Sequence, residues 1–173
     1  MLDAANYLSV ETLRDGRRVE IRAFKSADRV DLMSAVARTS PLSLYRRFFT
    51  VKRGFTEKEK DFFLNVDFVD HVALVAVTEE AGRKVIAGGG RYVIVHPGTA
   101  EVAFVVVDQY QGQGIGSALM RNLITIARAA GLQVLTAEVL SENAAMLKVF
   151  EKCGLAITTS RDREVVHVNL QLN

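Results

Sequence analysis

Asp108-Gln109-Tyr110-Gln111-Gly112-Gln113-Gly114-Ile115-Gly116-Ser117 is the stretch whose residue types and spacing point most directly to binding chemistry. Its three alternating glycines let the backbone pass close to a ligand and turn N–H groups toward it. Apolar residues 102–107 precede the run, and a helical pattern starts at Ile115. A strand therefore empties through a glycine turn into a helix N-terminus, where unpaired amide donors and partial positive charge gather. This is a cradle for an anion, phosphate above all.

Three phosphate loops compete for these residues. The Walker-type loop needs a lysine after its last glycine, and Gly116 is followed by Ser117, so that reading fails. The dinucleotide loop needs Gly-x-Gly-x-x-Gly. Its third position is Ser117 counted from Gly112, and Leu119 counted from Gly114. Glu138 stands at a tolerable distance to bind a ribose, but the loop comes late, after strands that read as hairpins, and NAD is the second reading. The third pattern, Gln/Arg-x-x-Gly-x-Gly/Ala, is met by Gln111 through Gly116.

Two further residues flank the loop. Glu101 opens the apolar strand that feeds it. In alternating geometry Glu101 shares a face with Ala103, Val105 and Val107, a desolvating neighbourhood that suits a general base. The competing reading is a turn-adjacent glutamate in ordinary water. Downstream, Asn143 can cap a helix. His71, His96 and His167 are too scattered for a metal site, and none is expected.

The elements that must hold these residues follow from periodicity. Residues 1–17 read as a leader of uncertain order, and 18–173 as a single domain. Residues 19–24 alternate as a strand, Ser26 is a candidate cap, and Val30, Leu32, Met33, Val36 and Ala37 form a helical stripe. Ser40-Pro41 opens a second helix carrying Leu42, Leu44, Tyr45, Phe48 and Phe49, the two phenylalanines assigned to the core. Tyr45 and Arg46 are candidates for lining the site, with helix packing an equal account of Tyr45. Thr56-Glu57-Lys58-Glu59 spells a capping box for a short third helix. Strands are expected at 71–77, 85–95 and 101–107, with turns at 79–82 and 96–99. Gly88-Gly89-Gly90 inside a strand signals a bulge or a close approach of another group. Ile115, Leu119, Met120, Leu123, Ile126, Ala127 and Ala130 face inward on a helix closed by Gly131. A strand at 134–139, a helix at 143–152 and a closing pair at 155–159 and 165–172 complete a mixed α+β sheet.

Composition sets the class. Apolar residues make up 49% of the chain, enough for a packed core, and 22 basic residues nearly balance 20 acidic ones. That balance argues against a nucleic-acid partner, the basic cluster around Arg46, Arg47, Lys52 and Arg53 reading as a solvated surface. No apolar run is long enough for a membrane span, so no membrane partner is expected. The start, Met1-Leu2-Asp3-Ala4-Ala5, shows no secretory signal, and Cys153 is the single cysteine, so cytoplasmic localisation is the expectation. Cys153 reads as a small buried helix residue.

The loop, the preceding strand from Glu101 to Val107, the helix from Asn143 to Gly154 and the opening at 19–28 together resemble the GNAT superfamily of N-acyltransferases over residues 18–173. A narrower resemblance joins residues 40–49 to the GNAT domain of bacterial protein-lysine acetyltransferases. The resemblance implies a mostly antiparallel sheet, flanked by helices and splayed around an acyl-CoA site, and acetyl-CoA as acyl donor. It implies that the backbone of Val105, Val106 and Val107 binds the pantetheine arm and polarises the thioester. Gln111, Gly112, Gln113, Gly114, Ile115, Gly116 and Ser117 would hold the pyrophosphate, and Asn143 would position the donor. Glu101 matches the family's strand-borne base. Where many members place a tyrosine as general acid, this sequence has Phe150, which has no proton to give. The implied partner is an amine acceptor, a protein lysine favoured; a small amine, or an acyl-CoA-binding module without turnover, is the alternative.

Overall fold

Hydrophobic alternation, glycine turns and caps place the chain in eight strands and five helices in the computed structural model, which describes residues 1–48 and 56–173 apart from the side chains of Tyr45 and Phe48. The strands are β1 (Leu8–Thr12), β2 (Arg18–Ala23), β3 (His71–Glu80), β4 (Arg83–His96), β5 (Thr99–Val106), β6 (Val134–Leu140), β7 (Ala156–Asp162) and β8 (Val165–Gln171). The helices are α1 (Arg29–Ala37), α2 (Pro41–Phe48), α3 (Glu57–Leu64), α4 (Ile115–Ala129) and α5 (Ala144–Glu151). One sheet runs β1-β2-β3-β4-β5-β6-β8-β7, and every neighbouring pair is antiparallel except β5 and β6. That parallel pair is what the crossover through α4 requires. No described helix is long and apolar enough to cross a membrane.

Residues 71–78 of β3 are buried without interruption, as a central strand covered on both faces must be. The side chains of α4 form most of one cover: Ile115, Leu119, Met120, Leu123, Ile126 and Ala127 are all buried. Ala130, expected inward, is instead exposed as the residue after the last turn. Gly131 follows it at φ 79°, a left-handed stop.

Local chemistry explains most boundaries. Ser43 N–H donates to the Ser40 hydroxyl at 3.1 Å, capping α2. Thr56 and Glu59 exchange side-chain bonds at 3.1 Å each, the capping box of α3. Ser26 is not a cap. It begins a 3-10 turn, Ser26–Asp28, because the Asp28 carboxylate turns back to accept Lys25 N–H at 2.7 Å and both Arg22 terminal nitrogens at 2.8 Å. The first 17 residues, whose weak periodicity announced no element, carry β1, paired to β2 from Leu8↔Arg22 to Thr12↔Arg18. Cys153 lies just past α5, in a bend and only partly buried, rather than inside the helix. Phe49 falls outside the described residues, as do the side chains of Phe48 and Tyr45, so their assignments have no structural counterpart.

The glycine run in β4 has a two-part cause. The pairing with β3 slips between Ala76↔Gly88 and Val77↔Ile86, leaving Ala87 as a bulge whose carbonyl accepts Val107 N–H at 2.8 Å. A Cβ at Gly88 would stand 2.8 Å from the Val105 carbonyl oxygen, and one at Gly90 would stand 2.7 Å from the Phe104 ring. Close approach therefore accounts for both.

Candidate active site

The site begins where strand pairing ends. β5 and β6 pair only through Thr99↔Val134, Ala100↔Leu135 and Glu101↔Thr136. Beyond Glu101 the two strands part, and a cavity of about 450 Å³ opens between them. Residues 102–106 line one wall, Ala137, Glu138 and Val139 the other, and Gly112, Gly114, Ile115, Gly116 and Ser117 close the end. The edge of β5 that β6 has left presents backbone N–H and C=O groups to this space.

Glycine conformation shapes the loop. Gly112 has φ 76° and Gly114 φ 95°, the latter as the cap of α4, and a Cβ at either would meet nothing within 4 Å. They are therefore glycines for backbone reasons, not for crowding. The first intrahelical bond is Ala118 N–H to the Gly114 carbonyl at 3.0 Å, so the amides of Ile115, Gly116 and Ser117 have no helical acceptor.

The side chains of the two glutamines brace the loop, and Gln111 also lines the cavity. Gln111 Nε2 donates to the Ser43 hydroxyl and to the Val106 carbonyl, both at 3.0 Å, tying the loop to α2 and to β5. Gln113 accepts from Arg17 and donates to the Gln109 carbonyl at 3.1 Å. Gln113 and Val107 are not among the cavity-lining residues. Both backbone groups of Val107 are engaged, its amide with Ala87 and its carbonyl with Tyr110 N–H at 2.8 Å. Asp108 completes the anchoring, accepting Ser40 N–H at 2.8 Å and the Ser43 hydroxyl at 3.3 Å. Burial works to raise its pKa, but the bonds from Ser40 and Ser43 prevail and hold it below the usual carboxylate value. Nothing in the sequence announced the Ser43–Gln111–Asp108 connection, because it joins residues 65 or more positions apart.

Asn143 caps α5, accepting Met146 N–H at 3.3 Å, and also lines the cavity. Phe150 lines it too, 1% exposed, with its ring 6.1 Å from that of Phe104. Tyr110 reaches the same cavity, but its hydroxyl is hydrogen-bonded to Glu80, pointing away from any role there as a proton donor.

Glu101 occupies the last paired rung, at the vertex of the opening, but does not itself line the cavity. Its neighbours Ala100 and Val102 are buried, whereas Glu101 is exposed on the opposite face. Ala103, Val105 and Val107 therefore do not enclose Glu101, as its alternation with them leads one to expect. Arg47 of α2 stands close enough to feel the Glu101 charge. Burial lowers the Arg47 pKa to about 10, with Glu101 pulling the other way. Arg91, on the same face two residues from the β4 partner of Glu101, is lowered to about 9 by burial and then by Arg47. Its guanidinium lies over the Phe63 ring at 4.8 Å, with Nη1 2.8 Å from His71 Nε2 and 3.3 Å from the Phe63 carbonyl. Arg46 pairs with Glu142 at 3.3 Å, connecting α2 to the segment before α5.

Arg91 can only donate, so His71 Nε2 must accept and the ring is neutral. Burial, then the Arg91 charge, pull the His71 pKa from 6.5 to about 4, Asp67 opposing. Between pH 6.5 and about 4 the unfolded chain takes up a proton that the folded chain refuses. Stability therefore falls as pH is lowered through that window. From pH 7 to 5 the native chain should lose about 1–2 kcal/mol more than His71→Gln, which keeps an acceptor but cannot titrate. Urea denaturation at the two pH values measures the difference; parallel losses would show that His71 does not set the slope.

Residues 39–155 match the family described as Acetyltransferase (GNAT) family. Acetyltransferase Pat of Mycolicibacterium smegmatis is 37% identical over 155 residues, 89% of this chain and 46% of that protein. An acetyltransferase of Pseudomonas aeruginosa is 31% identical over 163 residues, covering 91% of this chain and 87% of its own. The chain thus spans under half of the first relative and most of the second. Among solved structures, the GNAT domain of S. lividans PAT superposes with a TM-score of 0.85 at 32% identity, over 95% of this chain and 96% of that one.

Proposed function

Since the chain belongs to the GNAT family of acetyltransferases, we propose that it moves an acetyl group from acetyl-CoA to a primary amine, with a protein lysine as the favoured acceptor. The observation that carries this reading is the glycine loop set at the end of the opening between β5 and β6. The residues fit such a donor. Gly112 and Gly114 leave open space where side chains would stand, and the α4 N-terminus offers its first amides to a pyrophosphate. Val105 and Val106 line the cavity, within reach of an extended amide-bearing arm, although the Val105 carbonyl faces Gly88 on β4.

The donor supplies a thioester-activated acetyl group. The chain's own contribution is placement and proton handling. Lysine amines are mostly protonated at neutral pH, with an ordinary pKa of about 10.4, so a base is required. In this reading Glu101 takes the ammonium proton at the vertex and passes it to solvent, its exposure giving the proton a way out. The backbone edge around Val105 and Val106 supports the oxygen on which charge builds. Phe150 offers no proton to the departing sulfur.

A thermal-shift comparison tests the donor assignment. Acetyl-CoA at about a hundred times its Kd should raise Tm by about 5–10 °C, whereas NAD and ATP should not. Stabilisation by NAD alone would overturn the reading. Mass spectrometry of a lysate incubated with the protein and labelled acetyl-CoA then separates lysine acceptors from small amines.

A further inference from the structure

Three cations line the cavity with no ion pair or hydrogen bond among the described residues: Arg14, Lys148 and Lys152. Arg14 comes from the tip of the β1–β2 hairpin, whose geometry is fixed. Leu13 N–H donates to the Arg17 carbonyl at 2.8 Å and Gly16 N–H to the Leu13 carbonyl at 3.0 Å. Asp15 accepts from Arg17 N–H at 3.0 Å and from its Nε at 2.8 Å. The far end of Arg17 then bonds Gln113 and lies over the Tyr110 ring at 5.9 Å. The hairpin is thus clipped to the glycine loop through Arg17, and Arg14 is left facing the cavity.

Lys148 and Lys152 stand four residues apart at the end of α5, on one side of the helix. That helix abuts the loop, since a Cβ at Gly116 would lie 3.5 Å from Val149 Cγ2. The one acid lining the cavity among the described residues, Glu138, is 3.4 Å from His167 on β8. Three like charges around one opening repel one another until an anion enters.

We propose that Arg14, with Lys148 and Lys152, forms a phosphate subsite separate from the glycine loop, taking the 3′-phosphate on the ribose of acyl-CoA. This rests on the acyl-CoA reading above and deepens it. A phosphate monoester carries close to two negative charges at neutral pH, and a guanidinium can grip it with two parallel hydrogen bonds. The loop amides remain for the pyrophosphate. On this account the N-terminal hairpin is part of the donor site.

The test measures binding of acetyl-CoA and 3′-dephospho-acetyl-CoA by calorimetry, for the native chain and Arg14→Gln. The native chain should bind acetyl-CoA about tenfold more tightly than the dephospho form, and Arg14→Gln should remove most of that preference by weakening acetyl-CoA alone. Lys148→Gln with Lys152→Gln should act in the same direction. Arg14 is exposed, so an unchanged Tm is expected for its variant. Equal binding of both donors by the native chain, or equal losses on both in Arg14→Gln, would overturn the subsite while leaving the donor assignment standing. Binding of neither donor by the native chain would overturn both.

Discussion

Glu101→Gln should lower kcat about a hundredfold or more at neutral pH while leaving acetyl-CoA binding within about twofold. The split follows from position. Glu101 marks the rung where β5 and β6 part, outside the residues that line the cavity, so on the proposed reading its loss would remove proton transfer without removing a donor contact. The pH–rate profile makes the test specific. Without a base, only the fraction of acceptor amine already neutral can react, and that fraction grows about tenfold per pH unit below the amine's pKa. The variant's rate should therefore climb steeply from pH 7 to 9 and approach the native rate. An unchanged rate at neutral pH would remove Glu101 as the base. A loss that does not recover at high pH would assign it a binding or structural role instead.

The second large effect concerns the fold. Gly90→Ala should destabilise the chain by about 1–3 kcal/mol, because its Cβ would stand 2.7 and 2.8 Å from two Phe104 ring carbons and 3.3 Å from Leu123. For a chain of this size that is a fall in Tm of about 3–10 °C. The Phe104 ring has little room to yield, being 5% exposed. Phe104→Leu in the same chain should recover part of the loss. Gly88→Ala should cost at least as much and resist that rescue, since the obstacle there is the Val105 carbonyl, 2.8 Å away. Differential scanning calorimetry of the two pairs separates a side-chain obstacle from a backbone one.

Most of the architecture was legible because local chemistry wrote it. The Thr56 capping box, the Gly131 stop and the alternation before the glycine loop are signals carried within a few residues, and each element stands where it was expected. The misreadings share a different cause. β1 is a half-exposed edge strand, and its alternation is too weak to read without its partner. Ser26 lost its capping role because Arg22 and Lys25 recruit Asp28. The polar company of Glu101 comes from Arg47 on α2, which the apolar register of β5 could not foretell. Likewise the loop's glycines were plain in sequence, whereas the jobs of Gln111, Gln113 and Arg14 depend on segments that meet only after folding.

The three-rung pairing of β5 with β6 has a consequence for how freely this strand can vary. The parting of the two strands is a property of the backbone, set by the rung at which pairing stops. One more rung would narrow the passage, whatever residues lined it. Residues 102–106 can accordingly be chosen for their grip on the core: Val102 and Phe104 turn inward, and the passage persists beside them. A channel written into strand register tolerates sequence drift that a channel carved from side chains would not.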